Sequence, residues 1–161
     1  MTDRSLVEAL RQSRLGAELA DDQLEALAAN VGFRDLEPGD ELVRQGTSDD
    51  HLYVIVGGAL GVVRDSRTSE PVTLVTLTAG DLVGELSFID ETPHYASLVA
   101  TSPTRVFGLE RQQLEALLTT EPLIVYRVMR AIVRAVHEIQ RRISMHATEL
   151  TNYIYKQHGK Y

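Results

Sequence analysis

The chain of 161 residues is long enough to form one domain with a substantial core. Apolar residues make up 43% and charged residues 24%, and no run approaches the roughly 18 apolar residues that cross a membrane. The first residues carry charges and lack an apolar core, so we expect no secretory leader, no membrane partner and a cytoplasmic location. Cysteine is absent, which excludes disulfides, thiolate metal sites and thiol catalysis.

The net charge of −7 is unevenly distributed along the chain. Residues 1–120 hold 9 basic and 20 acidic side chains, whereas residues 121–161 hold 7 basic and 3 acidic ones. Because an acidic body repels a phosphate backbone, we expect no DNA partner. The basic C-terminal segment is better interpreted as a helix that lies on, or beside, the acidic body.

The first predicted element is a short helix over residues 21–30, which Asp21 or Asp22 can cap. From Val31 to about Leu109 the sequence consists of short β-rich runs separated by glycine and proline turns. About eight short strands fit this region, and they do not alternate with helices, which argues against a parallel nucleotide-binding sheet. The clearest strand runs are Glu41–Arg44, His51–Val56, Ala59–Arg64, Val72–Leu77, Ala96–Thr101 and Arg105–Leu109.

Two helices are predicted after the strands. The first covers residues 111–118, and the second begins at Pro122, because proline is tolerated in the first turn of a helix. A stripe of the second helix repeats with alternating steps of four and three residues, which is typical of a coiled coil. The stripe either packs on the chain's own β domain or pairs with a second copy, and its length of almost four heptads favours the second copy. It consists of Val125, Met129, Ile132, Val136, Ile139, Ile143, His146, Leu150 and Tyr153.

The segment over residues 80–97 has the most distinctive pattern. A strand is predicted to end at Gly84, and a single helical turn is predicted to begin at Glu85. The exposed backbone N–H groups of such a turn form a small anion-binding cup. The carboxylate of Glu85 suits the paired hydroxyls of a sugar better than a phosphate, and Thr92-Pro93 closes the cup before the next strand.

This segment resembles the phosphate-binding cassette of the cyclic-nucleotide-binding family, which includes the catabolite activator proteins and the regulatory subunits of cyclic-AMP-dependent kinase. The resemblance covers residues 21–143 and implies a mainly β fold with flanking helices, a double-stranded β-helix (jelly-roll) barrel plus a long C-terminal helix. In the family, the helix after the barrel forms the dimer seam and a lid over the ligand. The upstream family features are Glu37-Pro38-Gly39-Asp40, Gln45-Gly46, Asp50, Leu52-Tyr53-Val54-Ile55 and Gly58.

The resemblance also implies roles for individual residues of the segment. Gly84 would let the backbone approach the ligand closely. Glu85 would accept a hydrogen bond from the ribose 2′-hydroxyl. The N–H groups of Leu86 and Ser87 would help to cradle the phosphate.

Two parts of the chain depart from the family pattern, the cassette and the lid helix. The family usually has an arginine that binds the cyclic phosphate, and this chain has His94 at that position. The next position usually holds a small residue, but here it is Tyr95, and Ala96 comes after it. An arginine–phosphate pair contributes about 1.5–3 kcal/mol. Its loss corresponds to a roughly ten- to hundredfold lower affinity. In the lid helix, the hydroxyl pair of the catabolite activators falls at Ile139 and Gln140, of which Gln140 keeps hydrogen-bonding capacity.

Signatures of catalysis, metal binding and DNA binding are missing from the sequence. The histidines form no His-x-His pair with a following carboxylate, so we expect no metal site. Ser87 lies outside any Gly-x-Ser-x-Gly elbow, and no phosphate-loop motif occurs, so we expect no enzyme. About fifteen residues follow Met145, which is too few for the two helices of a helix-turn-helix.

The sequence therefore predicts a stand-alone regulatory or sensor module with a degenerate phosphate-binding cassette. Its ligand would be cyclic AMP or cyclic GMP at weakened affinity, or a different anionic small molecule; the alternative is a dimeric interaction scaffold that binds no small ligand. The chain is expected to divide into three parts. Residues 1–120 form the barrel, with one helix before it and one short helix after it. Residues 121–155 form the lid and dimerisation helix, and residues 156–161 form a tail. The module would signal to an unidentified protein partner. Its homodimer contacts would be Val125, Met129, Ile132, Val136, Ile139 and Ile143.

Overall fold

The structure, a computed structural model, describes residues 4–66 and 69–158 of the chain. This part contains five helices and eight strands. The helices are α1 (Arg4–Gln12), α2 (Asp21–Ala28), α3 (Glu85–Asp90), α4 (Arg111–Ala116) and α5 (Pro122–His158). The strands are β1 (Val31–Leu36), β2 (Glu41–Val43), β3 (His51–Gly57), β4 (Ala59–Ser66), β5 (Ser69–Thr78), β6 (Leu82–Val83), β7 (Ser97–Ala100) and β8 (Thr104–Glu110).

The eight described strands form two four-stranded antiparallel sheets, which confirms the predicted barrel architecture. The strand order is β1-β8-β3-β6 in the first sheet and β2-β7-β4-β5 in the second. Strand β6 has only two residues and lies at the edge of the first sheet, where it pairs with β3. The segment that resembles the cassette therefore leaves the barrel at a sheet edge, directly before α3.

The first sheet is buried on both faces. Leu52 and Val54 of β3 pack in a cluster with α1, α2 and α5, whereas Tyr53 and Ile55 pack in a second cluster with residues of the second sheet. Successive side chains of a strand point to opposite faces, so a strand covered on both sides needs apolar residues at every position. This requirement explains the uninterrupted apolar run of β3.

The N-terminal region differs from the prediction in two respects. Helix α1 was not predicted, although its apolar residues pack against the first core cluster. Neither Asp21 nor Asp22 caps α2, because the helix begins at Asp21 and its N-cap is Ala20. The side chain of Gln23 accepts a hydrogen bond from the Ala20 N–H at 3.1 Å. The two aspartates lie in the first turn, where a negative charge is favourable to the helix dipole.

Helix α5 begins at Pro122, as predicted, and its first half packs on the chain's own barrel. Ile132 of the predicted seam is only 1% exposed and lies in the first core cluster, so it is not available to a second chain. His146 and Leu150 are exposed, and the side chain of Tyr153 lies outside the described part. The remaining seam residues are partly buried against the two core clusters: Val125, Met129, Val136, Ile139 and Ile143.

Three arginines of α5 pair with carboxylates of the acidic body, as the charge distribution predicts. Arg130 and Arg134 both pair with Glu18. Arg142 forms two hydrogen bonds with the carboxylate of Asp81, at 2.9 and 3.2 Å. The basic helix thus neutralises carboxylates of its own chain.

Within the described residues, no helix is long and apolar enough to cross a membrane.

Candidate functional site

Gly84 connects strand β6 to helix α3 in a conformation that favours glycine. Its φ of +83° lies in the left-handed region, which side chains with a Cβ rarely adopt. A Cβ at this position would lie 3.1 Å from the backbone oxygen of His51. Both the backbone angle and the close approach to β3 therefore require glycine, and together they place Glu85 at the start of α3.

A small cavity of about 40 Å³, open to the solvent, lies beside this junction, between the two sheets and under α5. Its walls are mainly apolar, and its polar side chains are those of Glu85, His94 and Tyr95. Gly84, Leu86 and Ala96, which the family resemblance also places at the ligand, line the same cavity. The other lining residues are Val43, Val62, Leu77, Leu82, Val83, Pro93, Leu98 and Ile139.

Glu85 brings a carboxylate into an environment of low polarity. Burial raises the pKa of this carboxyl group, while its own backbone N–H and the nearby His94 act in the opposite direction. Since desolvation is the largest of these effects, the protein's own groups do not fully compensate the charged carboxylate. Hydroxyl donors of a ligand would supply the missing hydrogen bonds.

His94 is the most buried polar side chain of the cavity, with 7% of it exposed. Its Nε2 has no hydrogen-bond partner and lies 3.5 Å from a carboxylate oxygen of Asp49. The backbone is fixed on both sides, because the His94 N–H donates to the Thr47 oxygen and its oxygen accepts from the Gly46 N–H, each at 2.8 Å. An unpaired buried nitrogen on a fixed backbone is a group that a ligand can use.

Tyr95 is 46% exposed and lies at the mouth of the cavity. Burial of part of its ring raises the pKa of the phenol, the charge of Glu85 adds to this effect, and Arg64 opposes it. The tyrosine is therefore partly exposed to solvent and lies within electrostatic range of Glu85 and of Arg64 on strand β4.

Two residues implied by the family resemblance have other surroundings. Ser87 is fully buried, and its hydroxyl accepts from the Asp49 N–H at 2.7 Å and donates to the Asp49 oxygen at 2.8 Å. This side chain therefore joins α3 to the loop before β3. Gln140 is exposed and does not line the cavity, whereas its neighbour Ile139 does.

A polar cluster that the sequence did not reveal fixes α5 next to the cavity. Asp81 is buried in the turn before β6 and binds Arg142 of α5 as well as the Thr78 N–H. Arg14 lies 3.4 Å from the same carboxylate and also pairs with Glu138. An Asp after glycine in a turn is too common a signal to predict such a contact. Among the described residues, no three His, Asp or Glu side chains meet as a metal site.

The barrel, the glycine at the start of α3 and the cavity beside Glu85 define a domain of the cyclic-nucleotide-binding type. The profile of the family "Cyclic nucleotide-binding domain" matches residues 33–121, more than half of the chain, and the chain belongs to this family. The resemblance stated from the motifs is thereby confirmed.

Curated relatives include a "Cyclic AMP receptor protein" from Thermus thermophilus, 29% identical over 120 residues, or 74% of this chain and 56% of the receptor. A "cAMP-dependent protein kinase regulatory subunit" from Blastocladiella emersonii is 29% identical over 93 residues, or 58% of this chain and 23% of the subunit. The chain spans about half the length of the first bacterial relatives that it matches. These relatives are described as receptors and regulators.

Solved structures show the same architecture. A cyclic nucleotide-binding domain from Methylobacillus flagellatus superposes with a TM-score of 0.76 at 25% identity, over 86% of this chain and 78% of that domain. The catabolite activator protein of Thermus thermophilus superposes with a TM-score of 0.69 at 26% identity, over 84% of this chain and 63% of that protein.

Proposed function

We propose that this chain is a non-enzymatic, cytoplasmic regulatory module that binds a small molecule in the cavity under α5 and transmits the binding through that helix. The observation that carries this proposal is the buried Nε2 of His94, which has no hydrogen-bond partner and lies 3.5 Å from the Asp49 carboxylate, in a side chain that lines the cavity together with Glu85. Ile139 of α5 lines the same cavity, so a ligand would contact the helix directly.

The ligand that suits these groups carries hydroxyls and an anionic group. Cyclic AMP and cyclic GMP have both, and the relatives named above are described as receptors or subunits for cyclic AMP. Hydroxyls would donate to the uncompensated carboxylate of Glu85. An imidazole N–H of His94 would donate to the phosphate.

We further propose that α5 pairs with a second copy of the chain, through a face rotated slightly away from the predicted seam. Tyr126, Val133 and Leu150 are 60%, 52% and 67% exposed. Together with the half-buried Met129 and Val136, they extend along one side of α5 with the spacing of a coiled coil. Ile132 is excluded from this face because the chain's own barrel covers it.

Calorimetry with cyclic AMP and cyclic GMP at pH 6 and pH 7.5 tests the ligand proposal. We expect at least one nucleotide to bind, and we expect Glu85→Gln to weaken that binding while Glu70→Gln, an exposed carboxylate on β5, leaves it unchanged. If the protein releases no heat with either nucleotide at high micromolar concentration and both pH values, the cyclic-nucleotide proposal is wrong.

Light scattering tests the dimer. We expect the mass of a dimer for the unmodified chain and the mass of a monomer for Val133→Asp. Val72→Asp is the matched control, because Val72 is a valine of similar exposure, 53%, on strand β5. A monomer mass for the unmodified chain at high concentration would rule out the pairing.

A scaffold without a small ligand is the second candidate, and the replacement of the family arginine by His94, followed by the bulky Tyr95, favours it. Here the dimer forms as proposed, but neither nucleotide binds. The two experiments therefore separate the candidates.

A further inference from the structure

Strand β4 carries an arginine on the face that lines the cavity. Val62 of β4 lines the cavity and pairs with Leu98 of β7, and Val63 pairs with Ser97. Arg64 follows Val63 in β4, and Ala96, which lines the cavity, directly precedes Ser97 of β7. Because side chains alternate along a strand, Arg64 is on the same face as Val62. The guanidinium is therefore placed at the mouth of the cavity.

The environment of Tyr95 supports this placement. Arg64 is close enough to Tyr95 to oppose the rise in the pKa of its phenol, while Glu85 acts on the same phenol from the cavity. Arg64 is exposed, and within residues 4–66 and 69–158 no carboxylate lies within 4.0 Å of it. No lysine or arginine is among the residues that line the cavity itself. Arg64 is thus a cation without a carboxylate partner at the mouth of a cavity whose lining contains no cationic lysine or arginine.

One loop holds Arg64 and the cassette (residues 84–97) in a fixed relation. The backbone of Asp65 is bound by the side chain of Gln45, which accepts at 2.9 Å and donates at 3.4 Å. The N–H of Gln45 donates to the Ser97 hydroxyl at 2.9 Å, and the next N–H, that of Gly46, donates to the His94 oxygen. The strand end that bears Arg64 is therefore connected to the backbone of His94 through two adjacent residues.

We propose that Arg64 supplies the guanidinium that pairs with the anionic group of the ligand, so that the phosphate contact comes from β4 instead of from the cassette. This inference rests on the proposed function and specifies its ligand class, a small molecule with a phosphate at one end and a hydroxyl at the other. The hydroxyl meets Glu85 inside the cavity. The phosphate lies near the mouth, between Arg64 and His94, and Tyr95 covers it.

Calorimetry at low salt with cyclic AMP and with adenosine, which lacks the phosphate, tests this assignment. We expect Arg64→Gln to weaken cyclic AMP binding roughly ten- to a hundredfold, the range of one charge-assisted pair, and to leave adenosine binding unchanged. Arg64→Lys should lose less, because it keeps the charge but not the planar fork. The control is Arg4→Gln, which removes the same charge from an exposed arginine at the start of α1, far from the cavity residues in sequence. This substitution should leave the affinity for both ligands unchanged.

Each other result has a separate meaning. If Arg64→Gln binds cyclic AMP as tightly as the unmodified protein, the assignment of Arg64 is wrong and the proposed function stands. If the unmodified protein binds adenosine as tightly as cyclic AMP, phosphate is not recognised and the assignment also fails. If it binds neither, the proposed function fails together with the assignment. In an NMR titration, the Arg64 side-chain Nε–H signal, identified by its loss in Arg64→Gln, should shift with cyclic AMP and not with adenosine.

Discussion

The contact between Arg142 and Asp81 should make a measurable contribution to stability, and Arg142→Met removes it while keeping most of the aliphatic stem. The carboxylate of Asp81 is 6% exposed and the side chain of Arg142 is 29% exposed. Their two hydrogen bonds are 2.9 and 3.2 Å long. After the substitution, Asp81 keeps the Thr78 N–H at 2.9 Å and Arg14 at 3.4 Å.

The magnitude follows from this partial compensation. Breaking a fully buried ion pair costs about 3–5 kcal/mol, and an exposed pair contributes only about 0–1 kcal/mol. Arg142 is partly solvated and Asp81 keeps two partners, so we expect a loss of about 2 kcal/mol in the free energy of unfolding. In a chain of this size that corresponds to a melting temperature lower by roughly 4–8 °C.

Thermal unfolding followed by circular dichroism measures the effect, with Arg141→Met as the matched control. Arg141 is the adjacent residue of α5, is exposed, and has no carboxylate within 4.0 Å among the described residues. Its substitution should shift the melting temperature by less than about 2 °C. If Arg142→Met and Arg141→Met melt within about 1 °C of each other at pH 7, our account of this contact is wrong.

The pH dependence of the same variant gives an independent check. Burial alone would raise the pKa of Asp81, but the hydrogen bonds from Arg142 and Thr78 and the charges of Arg142 and Arg14 lower it below the ordinary 3.8. A lowered carboxyl pKa contributes stability above the unfolded pKa, and this contribution is lost as the pH falls through the folded pKa. The difference between Arg142→Met and the unmodified protein should therefore shrink below pH 4.

Three further predictions concern the cavity. Burial raises the pKa of the Glu85 carboxyl group in the folded protein, so its protonated form stabilises the fold at low pH, and this stabilisation is lost as the pH rises through the folded pKa. Glu85→Gln stays neutral at every pH, so its free energy of unfolding should increase relative to that of the unmodified chain between pH 4 and pH 7. Urea titrations measure this difference, and a difference that does not change with pH would contradict the prediction. In the same titrations, Gly84→Ala should lower the free energy of unfolding by about 1–3 kcal/mol. Gly32→Ala, where a Cβ would meet open space, should lower it by less than about 0.5 kcal/mol. Equal losses would contradict the requirement for a left-handed backbone at Gly84. His94→Arg should tighten cyclic AMP binding about tenfold in calorimetry, as one added charge-assisted bond predicts, and an unchanged affinity would mean that Tyr95 blocks the phosphate position.

The fold was predictable because strand spacing, turn residues and the family motifs agree over most of the chain. Local signals were weaker at the ends of elements. The strand Leu82–Val83 has two residues, which is below the length at which alternation can be recognised. For α2, an aspartate is the expected cap, but the amide of Gln23 bonds to the Ala20 N–H instead.

The site was predictable in part, and the missing part depends on contacts that are distant in sequence. Residues 84–86 and 94–96 of the motif line one cavity in the structure, and their role in ligand binding stays a prediction. The function of the Ser87 hydroxyl as a link to Asp49 could not be predicted, because its partner is 38 residues away. The position of Arg64 likewise depends on the pairing of β4 with β7, which a single sequence does not reveal.

Helix α5 has 37 residues, and at about 1.5 Å per residue it is roughly 55 Å long. Its anchorage on the barrel is confined to the first part, since the described side chains after Ile143 are exposed. From Ile139 above the cavity to the end at His158 the helix extends for about 28 Å. A tilt of about 10° at the cavity would displace that end by about 5 Å, as the geometry of a rigid rod requires. A small tilt of α5 at the cavity therefore produces a displacement of several ångströms at the end of the helix. A movement that leaves the barrel undisturbed is thus large enough for a neighbouring molecule to detect at that end.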